Sequence, residues 1–142
     1  MSSQRTGLDD LSEMIESGKG PPIGQTLGFA LREVGDGWAV FEGTPTLDHY
    51  NPLGMVHGGW AAAVLDSALG CAIHSKLQSG QQYGTVELKV NYVRAMNDKT
   101  GLITCRGEIL HVGRRLATSQ ATLVDANGKL YAHGSCTCMI YE

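Results

Sequence analysis

The chain has 142 residues and 42% of them are apolar, which suits one compact domain with a single core. Its net charge of −3 attracts neither nucleic acid nor an anionic membrane, so we expect no partner of either kind. The N-terminus, MSSQRTGLDD, lacks the apolar stretch of a secretion signal, and no apolar run is long enough to span a bilayer. These features predict a cytoplasmic protein.

The four cysteines and five histidines show no spacing typical of a metal site. Cys136 and Cys138 would lie on the same face of one strand, which is a poor geometry for a mutual disulfide. We therefore expect reduced cysteines that behave as small hydrophobic residues, and no bound metal.

The first part of the chain predicts a short helix followed by a hairpin. Residues 9–17 place Leu, Met and Ile at helical spacing behind acidic residues that can cap the helix, and Gly18 and a Gly-Pro-Pro break end it. Residues 29–34 and 38–42 flank a Gly-Asp-Gly sequence, which is a strong hairpin signal. Polar and turn-forming residues predict a loop over residues 45–54.

Residues 56–77 form the longest segment of helical character. Apolar side chains recur there at three- and four-residue spacing, and Asp66 is one of only two fully charged residues. Strands are predicted at residues 83–93, 102–111, 115–125 and 130–140. In the first of these, Val86, Leu88 and Val90 alternate with polar residues, as in a half-buried strand. The order predicts an α+β fold in which an antiparallel sheet curls around one long central helix, and its uncovered sheet face favours pairing of subunits.

The segment from Asn51 to Asp66 contains the residues best suited to chemistry. His57, Gly58 and Gly59 stand where the long helix begins, and the first amides of a helix have no intrahelical acceptor. Glycine lets a carbonyl or an oxyanion approach those N–H groups, as an oxyanion hole requires. Asp66 lies two turns into a helix where its neighbours are almost all apolar, so the carboxylate loses hydration. Taken singly, each residue also fits a plain structural role as a cap, a turn or a solvated carboxylate.

Four longer motifs give the combination a more specific meaning: NPLGMVHGGWAAAVLDSALG, TVELKVNYVR, HVGRRLA and DANGKLYAHGSCT. Together they resemble the hotdog-fold acyl-CoA thioesterases of the phenylacetate-degradation (PaaI-like) family. The resemblance extends from about residue 25 to the end of the chain. It implies a hotdog thioesterase domain over residues 25–142 and an N-terminal segment with a short helix over residues 1–24.

The resemblance implies roles for five residues in hydrolysis of an acyl-CoA or aryl-CoA thioester. Asp66 would be the general base or the nucleophile, and the backbone N–H of Gly58 would polarise the thioester carbonyl. His57 would shape that loop, and Asn51 would position the carboxylate or the attacking water. Thr85 corresponds to a hydroxyl position that holds water in some members. Such a set needs no metal and no dissociable cofactor.

Coenzyme A is anionic, so an acidic protein must supply local cations for it. Arg114 and Arg115 are the obvious pair, although alternation along a strand would direct only one of them at the ligand. The family places ligand contacts around this position. The resemblance therefore implies CoA contacts at Gly113, Arg114 and Arg115, and at Gly59 beside the thioester.

The family also builds its site across a dimer interface. The resemblance implies a homodimer or a homotetramer in which Asn51 and Gly58 of one subunit face Asp66 and Thr85 of the other. In that arrangement the small-molecule partner, an acyl-CoA, binds between two copies of the chain.

Two alternatives stay open at this point. A hotdog hydratase or dehydratase pairs a catalytic histidine with a carboxylate in a motif context that is not found around Asp66. A non-catalytic acyl-CoA-binding protein would need neither that carboxylate nor the glycines before it. The acyl group is not specified by the sequence, and proximity alone places Leu53, Met55, Trp60 and the loop over residues 74–84 in its pocket.

Overall fold

A computed structural model describes residues 4–142, which form a curved antiparallel sheet around one long helix. The helices are α1 (Gly7–Ser17), α2 (Pro22–Leu27) and α3 (Gly58–His74), with a short 3-10 helix at Leu47–His49. The strands are β1 (Phe29–Gly35), β2 (Trp38–Gly43), β3 (Gln82–Tyr92), β4 (Ile103–Val112), β5 (Leu116–Asp125) and β6 (Leu130–Tyr141). Every strand end lies within one residue of its predicted position.

The sheet has the order β1-β2-β4-β5-β6-β3, and all of its neighbouring strands are antiparallel. Its concave face packs against α3, in which ten of the 17 residues are buried. An α-helix this apolar is stable because the sheet removes most of its surface from water, and Ala62, Ala63, Asp66 and Ser67 form a half-buried stripe on the remaining side. This is the hotdog arrangement, and the predicted α+β fold is confirmed.

A row of small residues across four strands lets the long helix approach the sheet closely. Ala39, Gly107, Ala121 and Gly134 are aligned in register on β2, β4, β5 and β6. A Cβ atom built on Gly107 would lie only 2.3 Å from the carbonyl oxygen of Ala68 on α3. The backbones of helix and sheet are therefore in direct contact at this point, and only glycine fits there.

We expect Gly107→Ala to lower the free energy of unfolding by about 2 kcal/mol or more, because the new methyl group must displace α3. Gly20→Ala is the matched control, because no atom lies within 4 Å of a Cβ built at that residue. Urea unfolding of the two variants measures the difference. A stability of Gly107→Ala equal to that of the control would contradict the close approach.

The boundaries of two helices differ from the prediction. The cap of α1 is Thr6, whose hydroxyl accepts from the Asp9 N–H while the Asp9 carboxylate accepts from the Thr6 N–H. The expectation of an acidic N-cap was wrong, because Asp9 is the third helical residue of a capping box. The predicted helix over residues 56–77 is shorter, since His57 caps its start and Ser75 follows its end.

Helix α2 was not predicted from the sequence. The Gly-Pro-Pro segment was interpreted as a break, but Pro22 is the first residue of α2, where proline lacks no hydrogen bond and its fixed φ suits the helix. The predicted domain boundary between residues 24 and 25 falls inside this helix. Within residues 4–142, no helix is long and apolar enough to cross a membrane.

Candidate active site

The start of α3 exposes one unused backbone donor. The Nδ1 atom of His57 accepts from the Gly59 N–H at 2.7 Å, so the histidine side chain caps the helix. The Trp60 N–H donates to the His57 carbonyl at 2.9 Å. The Gly58 N–H has no acceptor among residues 4–142. It is therefore free to donate to a ligand at the positive end of the helix dipole.

The Asn51 side chain holds the turn that precedes this helix. Its Oδ1 accepts from the N–H of Leu53 at 2.9 Å and from the N–H of Met55 at 3.3 Å. Two amide donors identify that atom as the oxygen, so the Nδ2 amino group points the other way. No acceptor for Nδ2 lies in the described part of the chain. Asn51 thus combines a structural acceptor with a free donor.

Asn51, His57, Gly58 and Gly59 line one open cleft of about 520 Å³. Met55, Tyr92 and Arg94 contribute to its walls. Trp60 does not line the cleft, because its ring is buried and its indole N–H donates to the Leu27 carbonyl at 2.7 Å. The expectation that it lines the acyl pocket was wrong. Leu53 is 80% exposed and also lies outside the cleft lining.

Asp66 and Thr85 form a second group. The Thr85 hydroxyl donates to Asp66 Oδ1 at 3.0 Å, which joins the middle of α3 to β3. The Asp66 carboxylate is half-buried, and its Oδ2 accepts no hydrogen bond from the residues that the structure describes. One carboxylate oxygen is therefore oriented and the other is available to a proton donor such as water.

The two groups are separate within one chain. Gly58 and Asp66 are eight residues apart on α3, which corresponds to about 12 Å along the helix axis. Neither Asp66 nor Thr85 lines the cleft at Gly58. We call Asn51, His57 and Gly58 the amide half-site, and Asp66 and Thr85 the carboxylate half-site. A thioester group is too small to contact both halves of a single chain.

The two predicted CoA-binding arginines lie in the turn between β4 and β5. Arg114 and Arg115 are exposed, line an open cleft of about 660 Å³, and form no ion pair with any described residue. Gly113 makes the turn tight: its N–H donates to the Leu116 carbonyl at 2.7 Å, and a Cβ atom there would lie 2.8 Å from that oxygen. Gly113 therefore has a structural reason to be glycine.

The sheet register brings this turn near the carboxylate half-site. Leu116 on β5 pairs with Met139 on β6, and Met139 pairs with Gly84 on β3. Two strand spacings place Arg115 about 10 Å from the β3 backbone beside Thr85. One extended molecule can therefore contact both the arginine turn and the carboxylate half-site.

A family model for the thioesterase superfamily matches residues 53–132. This segment is more than half of the chain, and it includes Gly58, Asp66 and Thr85. The chain belongs to the thioesterase superfamily.

Relatives and solved structures agree with this assignment. This chain is 22% identical over 116 residues to the 1,4-dihydroxy-2-naphthoyl-CoA hydrolase of Listeria monocytogenes. The match covers 82% of this chain and 93% of that protein. The phenylacetic acid degradation-related protein of Ralstonia eutropha is 28% identical with a TM-score of 0.80, over 91% and 98% of the two chains. A variant of the phenylacetic acid degradation protein PaaI from Thermus thermophilus is 28% identical with a TM-score of 0.76, over 84% and 98%. The prediction of a hotdog-fold thioester hydrolase of the PaaI-like kind is confirmed.

Behind Thr85 the thioesterase contains a buried row of thiol and hydroxyl groups. The Thr85 oxygen lies 3.7 Å from the Cys138 sulfur, which lies 3.7 Å from the Cys136 sulfur. Cys136 is 3.2 Å from the Ser119 oxygen, and Ser119 donates to the Leu69 carbonyl at 2.9 Å. Because the Thr85 hydrogen is used by the carboxylate, its oxygen can accept from the Cys138 thiol. The row supports the orientation of the Thr85 hydroxyl.

The four cysteines are free and buried, as the sequence predicted. Burial raises the pKa of the Cys71 thiol to about 12, and the nearby Asp66 carboxylate adds to this effect. Burial also raises the pKa of Cys105 well above its ordinary value. Neither thiol is a nucleophile at neutral pH, since the thiolate is the reactive form.

The histidines other than His57 have structural or solvated positions. His49 stacks on the buried Trp60 ring with centroids 5.6 Å apart. His74 packs against Tyr83 at 5.2 Å, and burial lowers its pKa. Across residues 4–142, no three His, Cys, Asp or Glu side chains are grouped as a metal ion would require. The expectation of a cofactor-free enzyme stays a prediction.

Tyr92 is a cleft residue that the sequence analysis missed. It stands in the TVELKVNYVR motif, but alternation from Thr85 places it on the opposite face of β3. A bulge between Thr85 and Glu87 shifts the register, so both Thr85 and Tyr92 lie on the helix-facing side. The sequence did contain a signal for Tyr92: it is an aromatic residue at the end of β3, the strand whose start lies beside the Asp66 carboxylate.

Proposed function

We propose that this thioesterase hydrolyses acyl-CoA or aryl-CoA thioesters to the free acid and CoA, with Asp66 as general base or nucleophile. The observation that carries the proposal is the Asp66 carboxylate, held by the Thr85 hydroxyl at 3.0 Å on an otherwise apolar helix. Its free Oδ2 can take a proton from water or attack the thioester carbon directly. The names of the relatives, an aroyl-CoA hydrolase and phenylacetic acid degradation proteins, favour aryl thioesters.

The proposed reaction begins with the thioester carbonyl accepting from the Gly58 N–H. Negative charge that develops on this oxygen is stabilised by the amide and the helix dipole. The Asn51 amino group orients the attacking water or the carboxylate. As a base, Asp66 takes a proton from water while the water oxygen bonds to the carbonyl carbon; as a nucleophile, its Oδ2 bonds to that carbon and water then cleaves the acyl–Asp66 anhydride. In either case the C–S bond breaks, and the CoA thiolate leaves and takes up the proton released from water. In this scheme no metal or dissociable cofactor takes part.

The proposed active site needs two copies of the chain, because the two half-sites lie about 12 Å apart in one copy. Two antiparallel α3 helices related by a twofold axis bring the amide half-site of each copy to the carboxylate half-site of the other. Strand β3 supports this pairing: its outer edge carries no neighbouring strand among residues 4–142, while Val86 and Leu88 on it are 58% and 37% exposed. Such an edge is a template for a second β3. We infer at least a homodimer.

Release of CoA thiol from a panel of CoA thioesters tests the proposal. Benzoyl-, phenylacetyl-, hexanoyl- and palmitoyl-CoA are offered to the wild-type protein, with and without a chelator. Because all four cysteines are buried, a thiol reagent reports released CoA rather than the protein. We expect turnover that is faster for the aryl thioesters and unaffected by the chelator. Binding of these compounds without hydrolysis would replace the enzymatic proposal with a non-catalytic acyl-CoA-binding protein.

We propose that Arg114 and Arg115 bind the phosphates of CoA. Replacing both with alanine is expected to raise KM for an acyl-CoA about tenfold with little change in kcat, because the charges hold the nucleotide and not the reacting carbonyl. Arg32→Ala, on the opposite edge strand β1, is the control. The corresponding acyl-pantetheine lacks the nucleotide, so its KM should not respond to the change. An equal rise in KM for both substrates would refute the assignment.

A further inference from the structure

We infer that Tyr92 is a positioning residue for hydrolysis, acting through the Gly58 backbone; this inference rests on the proposed function. The Tyr92 hydroxyl donates to the Gly58 carbonyl at 2.6 Å. Its ring lies directly on the same residue, because a Cβ atom built on Gly58 would be 3.0 Å from the hydroxyl oxygen and 3.1 Å from the adjacent ring carbon. Both residues line the cleft of the amide half-site.

The tyrosine holds one end of a peptide group whose other end is held by His57. The Gly58–Gly59 peptide offers its carbonyl to Tyr92, and its N–H donates to His57 Nδ1 at 2.7 Å. A peptide group is planar, so two bonds on opposite ends set the orientation of the whole plane. Two consecutive glycines have unusual backbone freedom without such restraints. The clamp therefore restricts the φ and ψ rotations of Gly58, which connect this plane to the preceding peptide that carries the free Gly58 N–H.

The backbone groups at the start of α3 do not need the Tyr92 hydroxyl as a hydrogen-bond partner. At the start of an α-helix the unpaired groups are N–H donors, whereas the carbonyl groups already accept within the helix. Gly58 is the first residue of α3, and its carbonyl faces the next turn. A second donor on this carbonyl adds restraint where the backbone needs no partner. The restrained carbonyl belongs to Gly58, the same residue whose N–H the proposed mechanism uses.

The backbone of Tyr92 is itself firmly placed. Tyr92 is the last residue of β3 and pairs with Ala132 of β6. The following N–H groups, of Val93 and Arg94, both donate to the Tyr131 carbonyl at 2.9 and 3.1 Å. The hydroxyl is thus presented to α3 from the rigid sheet and not from a mobile loop.

Tyr92→Phe removes the hydroxyl and keeps the ring, so it tests the inference. We expect kcat for the best CoA thioester to fall about tenfold, while KM changes less than about twofold and the melting temperature stays the same. Tyr131→Phe is the matched control, because it removes a tyrosine hydroxyl bond of 3.2 Å to Asp125 in the β5–β6 turn and keeps the Tyr131 carbonyl that accepts from Val93 and Arg94. Its kcat should equal that of the wild type.

A double-mutant cycle of Tyr92→Phe and His57→Ala measures the coupling of the two residues in kcat, which a purely structural role of Tyr92 would not produce. Because Tyr92 and His57 restrain the same peptide, the losses of kcat should not multiply, whereas Tyr131→Phe and His57→Ala should combine independently. An unchanged kcat in Tyr92→Phe, or a loss that follows reduced stability, overturns the inference alone. Absence of turnover in the wild type overturns the proposed function and the inference with it.

Discussion

Asp66→Asn is expected to lower kcat for acyl-CoA hydrolysis about a thousandfold, because asparagine can neither take a proton from water nor attack the thioester. The substitution keeps an oxygen that can accept from Thr85, so the contact between α3 and β3 should survive. Release of CoA thiol measures the rate, and the melting temperature reports the fold. Labelled water in a single turnover separates the two roles of Asp66, because only nucleophilic attack can place the label in its carboxylate.

Asp36→Asn is the matched control for this experiment. Asp36 lies in the β1–β2 turn, where its carboxylate is exposed and lies 3.0 Å from the Lys76 ammonium. Loss of that surface ion pair should change neither the rate nor the stability measurably. A folded Asp66→Asn protein with undiminished turnover would exclude Asp66 as the catalytic carboxylate.

Mixing two inactive variants is expected to restore activity if the active site is shared between subunits. Asn51→Asp removes the free Nδ2 donor but keeps the acceptor for the N–H groups of Leu53 and Met55, so it damages only the amide half-site. Asp66→Asn damages only the carboxylate half-site. A heterodimer of the two variants contains one intact site and one doubly altered site. Random pairing of equal amounts should therefore recover about a quarter of the wild-type rate.

The result of mixing the variants distinguishes a site shared between two subunits from a site formed within one chain. If Asn51 and Asp66 of one chain acted together, every mixed dimer would stay inactive. Subunits must exchange for the test to work, so the two variants are tagged differently, unfolded and refolded together, and the doubly tagged species is isolated. A doubly tagged dimer without activity would contradict the shared site, whereas each variant refolded alone provides the baseline.

Local patterns were sufficient to predict most of the secondary structure. Helical spacing of apolar residues predicted α3, and alternation predicted the strands, because both patterns reflect which side of an element is buried. Helix α2 was missed because its six residues are too few to show a period and its first residue is proline. The α1 cap was misplaced because several neighbouring polar residues can cap a helix, and the backbone angles decide which one does.

The residues of the candidate site were predicted from a different kind of sequence evidence than the helices and strands. A helix start with consecutive glycines and a carboxylate in an apolar helix are features with a direct chemical meaning, so Gly58 and Asp66 could be identified from them. The family resemblance then singled out Asn51 and Thr85. The structure places Thr85 at 3.0 Å from Asp66, although simple alternation would turn it away from the helix.

The sequence by itself predicted the fold from residue types and short-range periodicity, and its motifs, through the family resemblance, predicted the family and the candidate site residues. The tertiary structure alone decided how those residues are grouped. The β-bulge that turns Thr85 to the same face as Tyr92, toward α3, arises from pairing with β6, and no local pattern in β3 reports it. The separation of Gly58 from Asp66 likewise follows from both residues lying on one rigid helix, which is why we infer that a second copy of the chain completes the site.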